Sequence, residues 1–132
     1  MSSFNLKIVT PKGTYQDVDI EQVNLRTTAG QVGILAHHMP LASGIEISEM
    51  SYIKDKKRYE FAIAGGFVYV SETDTTIIAN AIESKEEIDI NRAKEALERA
   101  EQRLKDKQQN IDYMRAEMAL KRAITRINVK NM

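Results

Sequence analysis

Every proline and every glycine lies in the first half of the chain: Pro11 and Pro40, with Gly13, Gly30, Gly33, Gly44, Gly65 and Gly66. None follows Gly66. Gly and Pro punctuate short strands and tight turns and break helices, so the two halves must fold differently. The first half is limited to short, frequently turned elements, and the second is free to form long uninterrupted helices. A length of 132 residues allows one domain, or one domain with a small appendage, but not two full-sized cores.

Before Gly66 and shortly after it, runs rich in β-branched and aromatic residues alternate with turn signals at about ten-residue spacing, as in an all-β sandwich. The pattern predicts strands at Phe4 to Val9, Val23 to Thr28, Ile45 to Ser48, Met50 to Ile53, Tyr59 to Ala64, Phe67 to Val70 and Thr75 to Ala81. Thr10-Pro11-Lys12-Gly13 has the proline and glycine of a tight turn. Asp55 to Arg58 and Ser71 to Asp74 read as hairpin loops. Gly65-Gly66, inside an apolar run, reads as a bulge or a point of close backbone approach.

From about residue 89 the apolar period changes from 2 to 3.6. Ala93, Leu97, Ala100 and Leu104 form one helix face; Ala116, Leu120, Ala123 or Ile124, and Ile127 form another. Polar residues Lys105 to Asn110 separate the two helices, which predicts an antiparallel hairpin reversing near residue 108. Its alanine-rich seam buries little apolar area per residue, so the hairpin is held lightly. The expected fold is therefore α+β: a sandwich over 1–84 and a two-helix hairpin over 85–132. The helix start has two candidate caps, Ser84 with Glu87 at capping-box spacing, and Asp89.

Net charge is zero only by cancellation, since residues 1–88 carry 8 basic and 12 acidic side chains (−4) and residues 89–132 carry 11 and 7 (+4). A globally basic nucleic-acid binder is disfavoured, and with no Trp there is little aromatic surface for stacking bases. No nucleic-acid partner is expected. The absence of Cys removes disulfides, thiolate nucleophiles and thiolate zinc sites. Neither a signal peptide nor a spanning helix is apparent. The two histidines, His37 and His38, are adjacent in a loop, and no phosphate loop or nucleophile elbow occurs. No catalytic residue and no metal ligand is assigned.

Arginine is more informative. Arg92, Arg99 and Arg103 recur at intervals of seven and four on the first helix, and Arg115, Arg122 and Arg126 repeat those intervals on the second. With a reversal near 108, Arg92 lies beside Arg126 and Arg99 near Arg122. Four guanidiniums on one side of the hairpin repel one another unless an anion sits between them. The competing reading pairs them on the surface with Glu95, Glu98, Glu101 and Glu117.

Along nearly its whole length the chain resembles the epsilon subunit of bacterial F-type ATP synthases, which corresponds to the chloroplast epsilon subunit. The resemblance rests on Val9-Thr10-Pro11 with Gly13; on Gly30-Gln31-Val32-Gly33-Ile34-Leu35 leading to His38-Met39-Pro40-Leu41; on Gly65-Gly66-Phe67-Val68-Tyr69-Val70; and on the arginine- and alanine-rich tail. It implies a non-catalytic rotor subunit whose sandwich binds the gamma subunit and the ring of c subunits. Gln31 and His38, in the loop from Gln31 to Leu41, are nominated as partner contacts. It further implies that the hairpin reaches the catalytic alpha and beta subunits and inhibits ATP hydrolysis, while the complex couples proton flow to synthesis. Membrane association would arise only through the complex, at the cytoplasmic face of the bacterial cell membrane.

The family's nucleotide motif is matched by Ile88-Asp89-Ile90-Asn91-Arg92-Ala93. By the same resemblance Glu83, Ile88, Asp89, Arg92, Arg99, Arg122 and Arg126 stand at nucleotide-binding positions, with ATP as a regulatory ligand and no required cofactor. An alternative is a primarily ATP-sensing module whose stalk attachment is incidental. One departure concerns the backbone: His37 stands where the family's loop commonly carries glycine, and histidine lacks glycine's freedom at positive φ.

Overall fold

In the computed structural model, residues 2–106 and 110–132 are described, and the expected reversal near residue 108 lies outside them. Eight strands precede two helices: β1 (Phe4–Thr10), β2 (Gly13–Ile20), β3 (Gln22–Thr27), β4 (Gly30–Leu35), β5 (Leu41–Lys54), β6 (Lys57–Val70), β7 (Asp74–Ala79), β8 (Ile82–Ser84), α1 (Ile90–Asp106) and α2 (Asn110–Lys130). The hydrogen-bonded order is β2-β1-β7-β6-β5-β3-β4, with β8 added beside β6. β1 and β7 run parallel, and the other pairs are antiparallel.

The sheet encloses its own core. Leu6, Ile8, Ile20, Val23, Ile34, Val68 and Ile77 are fully buried there, with Phe61 and Tyr52 stacked at 5.2 Å between ring centroids. Every residue of this cluster lies at or before Ile82, so the helices contribute nothing to it.

Three strands are absent from the sequence expectation. β2 and β4 are the two ends of the sheet, where one edge meets solvent and polar residues such as Gln16, Asp17, Asp19 and Gln31 replace an apolar run. β8 has only three residues. Conversely, two pairs of expected strands are each continuous: β5 and β6 both run 14 residues. Glu46 and Glu49 do not interrupt β5, because both are exposed where they stand.

Gly65-Gly66 lets β6 continue while changing partner, from β8 at Phe61 to Ile63 to β7 at Gly66 to Val70. Gly66 has φ 149°, and a Cβ there would lie 2.1 Å from the Ile78 carbonyl oxygen. The close approach expected of this pair is therefore present. The β5–β6 hairpin closes in two residues, Asp55 and Lys56, both at positive φ (52° and 65°), the geometry whose twist matches paired strands.

His37 adopts φ 64° and so takes the left-handed conformation without being glycine. Histidine enters this region more readily than β-branched residues do.

The helices pack against each other through Ala93 and Ala100 on α1 and Ala116 and Ala123 on α2, all buried. The larger Leu97, Leu104, Leu120 and Ile127 are only half-buried at the margins. Close approach of the backbones at the alanines leaves no room to cover the larger side chains fully. A separate small cluster of Ala62, Ile88 and Val129 seats the end of α2 on the sandwich. Among the described residues, no helix is long and apolar enough to cross a membrane.

Candidate functional site

Both candidate caps form, one after the other. The Ser84 hydroxyl accepts the Glu87 N–H at 3.2 Å, and Glu87 accepts the Ser84 N–H at 3.0 Å. This reciprocal box fixes the turn that leaves the sheet rather than starting a helix. Asp89 then caps α1, its carboxylate accepting the N–H groups of Asn91 (3.0 Å) and Arg92 (3.2 Å). The two caps set the direction in which α1 leaves the sandwich.

That direction opens a cleft of about 740 Å³ between the sandwich and the hairpin. The β1–β2 turn with Tyr15 forms one wall, residues 80–83 the floor, and α1 with Arg126 of α2 the other side. Of the arginines nominated from sequence, Arg92, Arg99 and Arg126 line it, together with Glu83 and Asp89. Arg122 lies just outside, in a small adjoining hollow shared with Arg126, Glu83 and Ala62. Ile88 is not among the residues lining the cleft; it is 3% exposed and packs with Ala62 and Val129.

The acids of the cleft are already engaged. Glu83 accepts Arg126 Nε at 2.5 Å, Glu87 accepts the Tyr15 hydroxyl, and Asp89 is held by the α1 amides. The Tyr15 hydrogen bond, ahead of the Ser84 amide, lowers the Glu87 pKa below the usual carboxylate value. Burial, ahead of the Glu87 contact, raises that of Tyr15.

Among the described residues, ion pairs join only Arg58 and Lys85 to Glu60 and Arg126 to Glu83. None uses Glu95, Glu98, Glu101 or Glu117, although Glu95 and Glu98 share a surface hollow with Arg99 and Arg103.

The two positions nominated for partners are not brought together. Gln31 belongs to β4 rather than to a loop and is exposed near the β3–β4 turn, opposite Arg26. His38 follows the far end of that strand, about 14 Å on at the usual rise per residue, and its Nδ1 lies 2.6 Å from the Met39 carbonyl.

A feature that sequence reasoning passed over lies on the outer face of β6 and β7. Phe67 and Tyr69 stack at 5.1 Å, and Phe67 pairs with Ile78; all three are exposed, as are Leu35 and Met39. The period of two held the signal: Val68 and Val70 point inward, so Phe67 and Tyr69 must point outward. Contiguous apolar and aromatic surface of this kind is a common feature of protein contacts.

A sheet-enclosed core followed by a helical hairpin docked on it through a small seat defines a two-part architecture of β-sandwich and helical arm. Residues 3–85 match the family model described as ATP synthase, Delta/Epsilon chain, beta-sandwich domain, and residues 86–131 match its long alpha-helix domain. The chain belongs to the ATP synthase delta/epsilon chain family.

The chain is similar to the ATP synthase epsilon chain of Bacillus thuringiensis (strain Al Hakam), 43% identical over 100% of this chain and 99% of that one. It is also 44% identical to that of Alkaliphilus metalliredigens (strain QYMF), over 78% of this chain and 77% of the relative. The fold is shared with a chain of the Euglena gracilis mitochondrial ATP synthase, solved as an OSCP/F1/c-ring assembly. There the TM-score is 0.80 at 22% identity, covering 92% of this chain and 77% of that one.

Proposed function

We propose that the chain is a central-stalk subunit of a bacterial ATP synthase, with the sandwich (1–84) as its attachment to the rotor and the hairpin (85–132) as its regulatory arm. It is non-catalytic. In this reading the sandwich meets the gamma subunit and the c-subunit ring through exposed surface that includes Gln31, His38 and the Phe67–Tyr69 face. The protein sits at the cytoplasmic face of the cell membrane as a peripheral part of the complex. Extended, the hairpin carries its net positive charge to the catalytic alpha and beta subunits and opposes hydrolysis.

The observation that carries the reading is the hairpin's attachment. The apolar seat is limited to Val129 against Ala62 and Ile88, beside a cleft whose unpaired cations suit a polyanion. ATP in that cleft would meet Arg92, Arg99 and Arg126 on both helices at once, which is possible only with the hairpin folded. It would therefore shift the population toward the folded, non-inhibiting state. Sensing is then a property of the arm rather than the protein's whole role.

The test is an ATP synthase rebuilt with a chain ending at Ile88. Hydrolysis should rise and proton-driven synthesis should persist. Unchanged hydrolysis in a complex containing the shortened chain would sink the regulatory arm.

A further inference from the structure

The cleft's charges can be accounted for one by one. Seven charged side chains line it: Lys12, Arg92, Arg99 and Arg126, with Glu83, Glu87 and Asp89. All three carboxylates are occupied within the protein, Glu83 by Arg126, Glu87 by Tyr15 and the Ser84 amide, and Asp89 by the start of α1. Three cations are left without a carboxylate in ion-pair reach among the described residues: Lys12, Arg92 and Arg99. Two of them come from α1. The third comes from the opposite wall, on a turn of the sandwich some eighty residues earlier in the chain.

Lys12 is held for such a role. Its backbone N–H donates to the Thr10 hydroxyl at 3.2 Å, and that hydroxyl donates on to the Gly13 carbonyl at 3.3 Å. Pro11 fixes the preceding φ. The turn is further tied across the cleft, because Tyr15 donates to Glu87 while its ring stands edge-on against core Phe61 at 6.4 Å. A lysine on this turn therefore starts from a fixed backbone on the cleft's rim.

We infer that Lys12 is a phosphate-binding residue of the cleft, so that a nucleoside triphosphate is gripped between the sandwich and α1 rather than by the hairpin alone. This rests on the nucleotide reading above. Arg92 and Arg99 are seven residues apart, two turns or about 10 Å along α1, and face the cleft from one side. A polyphosphate chain lying along them exposes oxygens on its far side, where Lys12 stands, and an ammonium there completes the charge match. Bound this way, the ligand links the hairpin directly to a sandwich residue. When the hairpin extends, that wall of the site is lost, which adds to the ligand's preference for the folded state.

The experiment is calorimetric titration of the full chain with ATP, MgATP and inorganic tripolyphosphate, for wild type, Lys12→Ala, Lys12→Glu and Arg92→Ala. The turn is exposed, so folding is unaffected in the Lys12 variants, and circular dichroism checks this. Lys12→Ala should weaken ATP about fivefold and Lys12→Glu about 20-fold, both losses shrinking as salt is raised. Tripolyphosphate should lose affinity by the same factors.

If Arg92→Ala weakens ATP while both Lys12 variants bind as wild type does, the inference is overturned and the nucleotide reading stands. If ATP weakens in the Lys12 variants and tripolyphosphate does not, Lys12 touches the nucleoside, and its assignment to phosphate is wrong. If wild type binds none of the three ligands at millimolar concentration, the nucleotide reading and this inference fall together.

Discussion

Tyr15, on the second strand of the sandwich, donates its hydroxyl to the carboxylate of Glu87, in the turn that leads to α1. The bond joins the sheet to the segment from which the hairpin departs, and both partners titrate away from their ordinary values. Glu87 is lowered from 4.5, first by Tyr15 and then by the Ser84 amide; Tyr15 is raised from 10.0, first by burial. A carboxylate lowered on folding stabilises above its unfolded value and loses that contribution as pH falls through the folded one. A phenol raised on folding stabilises below its unfolded value and loses it as pH rises through the folded one.

Tyr15→Phe should therefore cost about 0.5 kcal/mol at pH 7, toward the low end for a hydrogen bond because Glu87 is exposed. In paired urea melts the difference between variant and wild type should shrink as pH drops below 4.5. In an ultraviolet titration of the five tyrosines, two, Tyr15 and Tyr52, should resist ionisation beyond pH 10.0, and the variant should lose one of them. A constant difference across the acid range would mean that the contribution does not come from the ionised Glu87 carboxylate.

Val129 is completely buried against Ala62 and Ile88, whereas the sandwich core contains no helical residue. Val129→Asp should free the hairpin without unfolding the sheet. A carboxylate in that seat costs roughly 2 kcal/mol, so amide exchange in α2 should quicken about 30-fold while strand amides keep their protection. Loss of protection in β1 and β7 as well would show that the two parts fold as one unit.

Gly66→Ala acts on the other side of that boundary. The new Cβ would meet the Ile78 carbonyl oxygen at 2.1 Å, backbone against backbone, at φ 149°. Neither β6 nor β7 can retreat without losing the pairing of Phe67 with Ile78. Denaturant unfolding should report a loss of about 3 kcal/mol. A loss below about 1 kcal/mol would show that the two strands part easily at this point.

What could be read before folding was what local chemistry specifies. The alternation around Val68 and Val70 marks a strand, and the alanine spacing marks the helix seam, whose Ala93, Ala100, Ala116 and Ala123 are all buried. Ser84, Glu87 and Asp89 could be named as caps, but that they act in succession depends on the exit from the sheet. Strands β2 and β4 were hidden because an edge strand is defined by its neighbour, and Asp17, Asp19 and Gln31 carry no apolar period of their own. Arg92, Arg99 and Arg126 could be placed on one side of a hairpin by counting residues. The wall they face could not be, because Lys12 and Tyr15 reach it only through the β1–β2 turn's position against α1. Arg122 shows the limit of the counting: one turn from Arg126, it falls in the adjoining hollow instead.

The folded and extended arms differ in length by an amount that is easy to measure. Folded, α1 begins and α2 ends against the same region of the sandwich, near Glu83 to Ile88, where Arg126 meets Glu83 and Lys130 donates to the Lys85 carbonyl at 3.0 Å. Unfolded into one continuous helix, residues 90 to 130 would hold those ends about 60 Å apart. The chain has no cysteine, so single cysteines replacing Asn91 and Asn131 can carry spin labels without background. In the assembled complex, millimolar ATP should move the population toward the short distance, and Arg92→Ala should abolish that response while leaving the short distance accessible. Arg126→Ala should do more, because it also leaves Glu83 without its partner and loosens the arm even without ligand. A distance distribution indifferent to ATP in the wild-type complex would leave these arginines as ordinary charges of the arm.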